Sequence, residues 1–91
     1  MIMTFSEFGR RAEENASGGT DHGTANNLFI IGGKLKTPGF LNKTPDLRKL
    51  DQGDLIYEID FRQVYATLIK KWLKADDQHI LNQNFESLAL V

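Results

Sequence analysis

Apolar and polar positions along the chain alternate in blocks, and each block carries its own period. Residues 1–5, "MIMTF", form a short apolar, β-favouring run that ends in the polar "SEFGRR", which reads as a strand entering a loop. Residues 12–27 are Gly, Ser, Asn, Thr and acidic residues with almost no periodicity, and read as a loop of functional length. The run "LFII" at 28–31, closed by Gly32 and Gly33, has the continuous apolar character of a strand covered on both faces.

From Lys34 to Asp54 the signals are turns, at Pro38-Gly39, "NKTPD" and "DQGD", with room for a short hairpin around Phe40-Leu41. A short further strand fits Leu55 to Ile59. The strongest pattern begins at Asp60. This residue has the chemistry of an N-cap, Gln63 completes a capping box, and Phe61, Val64, Tyr65, Leu68, Ile69, Trp72 and Leu73 recur at helical spacing. The spacing predicts an amphipathic helix over residues 61–74 with an aromatic stripe in the core. Lys70, Lys71 and Lys74 complement the dipole at its end. The tail "HILNQNFESLALV" ends in apolar residues and reads as a docked segment. The fold class is α/β, with two or three strands and one C-terminal amphipathic helix packed on the sheet. A parallel relation of the first two strands would need a crossover for which residues 10–27 are barely long enough, so an antiparallel or split arrangement stays open.

Composition bounds this picture. A chain of 91 residues makes at most one small domain, burying about 60 to 65% of its unfolded surface. A hydrophobic fraction of 41% with 25% charged residues excludes disordered and fibrous classes. The net charge of −1 gives no electrostatic reason for a nucleic acid or an anionic membrane as partner, despite a basic stretch over 34–49. No window approaches the roughly 18 apolar residues of a membrane span, and no export signal is visible: "AEENASGG", not an apolar segment, follows Arg10-Arg11. With no cysteine, any metal would need oxygen and imidazole ligands.

The candidate chemistry lies between the first two apolar runs, where Glu7, Glu13, Glu14, Asp21 and His22 gather. Carboxylates and a neutral imidazole suit zinc or manganese, and the flanking glycines would let His22 approach an ion. For an isolated Asp-His pair in a Gly-rich turn, a local Asx-type turn with a solvent-facing histidine is the more ordinary reading. His79 reads as a surface residue at a helix end or turn. Ser6, Ser17, Thr20 and Thr24 lack a recognisable activating triad, and the two Gly-Gly pairs match no phosphate-binding fingerprint.

The run "MTFSEFGRRAEENASGGTDHGTANNLFIIGG", followed by "LDQGDLIYEIDFRQVYATLIKKWL" and "FESLALV", resembles the C-terminal end of the bacterial DUF1501 family, a domain of unknown function grouped with the alkaline phosphatase and sulfatase superfamily. The resemblance implies that residues 1–91 are a single C-terminal fragment of a larger alkaline phosphatase-like domain, whose full-length members are often exported. It implies that Glu7 replaces a metal-binding Asp and that His22 matches a metal-binding His, with Asp21 as an acceptor orienting the imidazole. Phe8 departs from the pattern, standing where relatives place another histidine. The divalent ion implied is zinc or manganese ahead of calcium or magnesium. The expected activity is hydrolysis of phosphate or sulfate esters, with the nucleophile in the missing N-terminal portion of the same protein, so the chain alone should be inactive. The competing expectation is a noncatalytic module that binds a partner through exposed apolar surface, the same surface that would let it self-associate.

Overall fold

The computed structural model describes all 91 residues, arranged as two compact units: Met1–Gly32 with Lys43–Glu58, and Gly33–Asn42 with Ile59–Val91. The mixed α/β class holds, with three antiparallel strand pairs and helices toward the C-terminus.

In the first unit, β1 (Ile2–Met3) pairs antiparallel with β4 (Ile30–Ile31), setting Ile2 opposite Ile31 and Met3 opposite Ile30. A backbone bond from Thr4 N–H to the Phe29 carbonyl, 2.9 Å, extends the ribbon beyond its formal strands. The expected cover on both faces is absent within the chain. Opposed residues share a face, and Ile2, Phe29 and Ile31 are 62%, 61% and 60% exposed. The apolar run is a strand by chemistry, with the face of Ile2, Phe29 and Ile31 exposed.

The region expected to be a loop is instead a hairpin, β2 (Gly9–Glu14) and β3 (Thr20–Gly23). Its register pairs Gly9 with Gly23, Arg10 with His22 and Glu14 with Thr20, with an irregularity between Arg10 and Glu14. Periodicity could not reveal it, since only Gly9 of β2 is buried and a strand exposed on both faces needs no apolar alternation. The hairpin is closed by Asn15, whose Oδ1 accepts from the backbone N–H of Ser17 and of Gly19, both at 3.0 Å, an Asx-type closure.

A second hairpin, β5 (Leu50–Asp51) and β6 (Asp54–Leu55), occupies "DQGD", which places the short hairpin here and not at Phe40-Leu41. Gln52 and Gly53 have φ of 50° and 88°, as a two-residue hairpin turn requires. Arg11 ties this hairpin to β2, donating through Nε to Asp54 at 3.1 Å and through Nη2 to the Gln52 carbonyl at 2.7 Å.

In the second unit, α1 (Phe61–Thr67) starts as its sequence dictates: Asp60 accepts from Arg62 N–H at 2.9 Å, and the Gln63 side chain accepts from Asp60 N–H at 3.2 Å. The helix does not continue as α to residue 74. Leu68–Trp72 form a π-helical turn and Lys74 takes a left-handed φ of 56°. The wider turn breaks the 3.6-residue phase, so the extrapolated core positions Trp72 and Leu73 stay 36% and 66% exposed. Phe61 is also exposed; the buried positions of α1 are Val64, Ala66 and Thr67. A second short helix, α2 (Asp77–Leu81), packs on α1, is capped by Asp76 and carries His79 on its exposed surface.

The tail docks as expected. Thr67 Oγ1 accepts from Leu88 N–H at 2.8 Å, Lys71 Nζ reaches the Leu88 carbonyl at 3.4 Å, and the Arg62 guanidinium lies 4.9 Å from the Phe85 ring centre.

The Asp60 carboxylate sits 2.7 Å from Arg62 Nη2, and hydrogen bonds from the Arg62 side chain, then from its backbone N–H, hold the carboxyl below its ordinary value of 3.8. A carboxyl that binds protons more weakly folded than unfolded contributes stability that is complete above that ordinary value and is lost as pH falls through the lower folded one. Asp60→Ala is therefore expected to cost about 1 kcal/mol at neutral pH, with a smaller difference from wild type in strong acid. Urea melts of both forms at neutral and acid pH check it; an equal gap at the two would sink the assignment.

Candidate functional site

The two motif segments meet across the β2–β3 hairpin. "SEFG" (6–9) leads into β2, and "TDHG" (20–23) is β3 itself. Two glycines face each other at the junction. A Cβ on Gly9 would overlap the Ala25 carbonyl group, and one on Gly23 would lie 3.0 Å from the Arg10 carbonyl carbon, so the close approach of these backbones depends on the missing side chains.

Phe8, one residue before the strand, lays its ring on the imidazole of His22, with centroids 3.9 Å apart and planes inclined by 23°. Arg10, opposite His22 in the ladder, places its guanidinium 5.4 Å from the Phe8 ring centre and donates through Nη1 to the Thr20 carbonyl at 2.7 Å. The result is an exposed stack of phenyl and imidazole beside a fixed cation.

The turn before the stack is held from two sides. Ser6 Oγ donates to the Phe8 carbonyl at 2.9 Å, so this hydroxyl closes a turn. Asn26 Nδ2 donates to the Ser6 carbonyl at 3.0 Å and to the Phe8 carbonyl at 3.2 Å. Glu7 lies within the clasped turn and is exposed.

Of the expected site residues, Glu7 and His22 thus belong to one local construction, through Phe8. Asp21 is tied elsewhere: its carboxylate accepts from Asn15 Nδ2 at 3.2 Å, and no hydrogen bond joins it to the neighbouring imidazole. Successive strand residues point to opposite faces, which separates Asp21 from His22. Asn26, Arg10 and Gly9 were missed because each acts through a backbone or cross-strand contact that no local motif announces.

A catalytic zinc takes three protein ligands. No group of three or more His, Asp or Glu side chains comes together in residues 1–91, and the position that would supply a second imidazole is the phenyl ring stacked on the first.

Over residues 1–84 the chain matches the family described as Protein of unknown function (DUF1501), and it belongs to that family. No curated protein and no solved structure matches it. No helix is long and apolar enough to cross a membrane.

Proposed function

We propose that residues 1–91 form the C-terminal part of a metal-dependent hydrolase-like protein acting on phosphate or sulfate esters. In this reading Glu7 and His22 are two donors of a site whose nucleophile and remaining ligands lie outside these residues. The observation that supports it is the juxtaposition of "SEFG" and "TDHG": the resemblance assigns one ligand to each segment, and Phe8 stacks on His22 from the position assigned to the second imidazole. Arg10 adds a positive charge next to the imidazole, suited to an anionic ester. Asp21 serves the hairpin tip through Asn15, on the strand face opposite the His22 imidazole.

A second reading, a noncatalytic module that binds a partner, is favoured by the ribbon face bearing Ile2, Phe29 and Ile31. Under the first reading the same face is covered by the preceding portion of the protein, and the chain separated from it self-associates.

Thermal melts of the protein that carries this chain, with and without zinc or manganese, separate the two. An ion that binds the folded form alone raises the melting temperature. The hydrolase-like reading expects that rise, its loss in His22→Ala, and a larger rise in Phe8→His, which supplies a further imidazole. Melts that no divalent ion moves would leave the binding-module reading in place.

A further inference from the structure

We infer that Asn26 is a positioning residue, the clasp that holds the Ser6–Phe8 turn so that Phe8 stays seated on His22. Its amide nitrogen spends both hydrogens on that turn, at 3.0 Å to the Ser6 carbonyl and 3.2 Å to the Phe8 carbonyl, across 20 and 18 residues of chain. These two bonds link the segment after β3 directly to the segment before β2. The backbone beside them is equally committed: Gly9 lies against the Ala25 carbonyl with no room for a Cβ, and such a Cβ would come within 3.0 Å of Asn26 N. The segment carrying Asn26 is thus pressed against the strand start while its side chain grips the two carbonyls just ahead of it.

The geometry explains why an asparagine suits this place. Two carbonyl oxygens need two N–H donors from one short side chain, and a primary amide provides them where a hydroxyl offers one and a carboxylate none. Exposure makes each bond modest, so the clasp acts by selecting one conformation of a turn that Ser6 alone would hold by a single bond. What it selects is the position of the phenyl ring and, with it, the Glu7 backbone. This assignment deepens the reading of Glu7 and His22 as one site and takes its significance from it, although its test requires no metal.

The test is proton NMR of the protein that carries this chain, following the ring resonances of His22 and His79. The face of Phe8 should displace the His22 resonances upfield, while His79, exposed on α2, supplies the unshifted reference. Phe8→Leu defines the fully unstacked value. Asn26→Asp keeps the size, removes both donors and faces the carbonyls with a carboxylate, and is expected to move His22 most of the way to the Phe8→Leu value while the β5–β6 hairpin signals remain. Asn26→Ala, which removes the donors without adding charge, should shift it in the same direction and serves where the aspartate variant does not fold. An unchanged His22 displacement in either folded variant overturns the inference. A merely structural role would lower the melting temperature and leave the resonance where it was, and that outcome also overturns it. Failure of the wild-type protein to respond to metal would remove the hydrolase-like reading without touching this result.

Discussion

Gly9→Ala is expected to lower the melting temperature of the chain by about 12 to 24 °C. The new methyl group has nowhere to go: it would overlap the Ala25 carbonyl, a backbone group that cannot rotate aside, and would come within 3.0 Å of Asn26 N. Overpacking of this kind costs about 3 kcal/mol at its upper range. For a domain of this size each kcal/mol is worth about 4 to 8 °C. Total stability for 91 residues is about 5 to 14 kcal/mol, so the substitution consumes a large fraction of it. Gly23→Ala, whose Cβ would sit 3.0 Å from the Arg10 carbonyl carbon, makes the graded comparison and should cost less. Thermal unfolding followed by circular dichroism decides the matter: a Gly9→Ala melt within a degree or two of wild type would show that the 24–26 segment does not press on β2 as described.

The second large effect is expected at Thr67. Fully buried, it donates from Oγ1 to the Gln63 carbonyl at 2.7 Å and accepts from Leu88 N–H at 2.8 Å, which makes it the pin between α1 and the tail. Thr67→Val preserves the shape and deletes the hydroxyl. The Gln63 carbonyl still has its helical environment, but the Leu88 amide loses its acceptor beside a buried residue, a penalty of about 1 to 3 kcal/mol. Hydrogen exchange at Leu88 should accelerate together with a lower melting temperature, and Thr67→Ser, which keeps the oxygen, should restore the slow exchange. Wild-type exchange at Leu88 in Thr67→Val would mean that the tail is held without this hydroxyl, by Lys71 on the Leu88 carbonyl, Arg62 on Phe85 and the Lys36 N–H on the Leu90 carbonyl.

Thr67 and Gly9 lie in elements whose patterns differ in kind. Thr67 lies in the element the pattern described best. Its cap, Asp60 with Gln63, was legible because capping is a local exchange between side chains and backbone three residues away. The end of that helix was not legible: the apolar spacing runs on to Leu73, while the backbone widens into a π turn after Thr67, and hydrophobic spacing does not record the change of helix type. Gly9 lies in the element the pattern missed. "GRRAEE" and "TDHG" carry no alternation because both faces of that hairpin are largely exposed, and the close approach of its strands at Gly9 and Gly23 leaves no periodic signal.

The candidate site divides along the same line. His22, Glu7 and the departure at Phe8 were visible as residue types in ordered motifs. That Phe8 lies on His22, that Arg10 flanks them, and that Asn26 clasps the turn depend on cross-strand register and on bonds spanning up to 20 residues. The chain by itself determined membership in its family, the α/β class, the capped start of α1 and the docked tail, because each follows from local chemistry or from motifs in fixed order. Only the tertiary structure decided the hairpin register, the stack and the bare face of Ile2, Phe29 and Ile31, because these arise from contacts between segments whose separation along the chain carries no periodic signal.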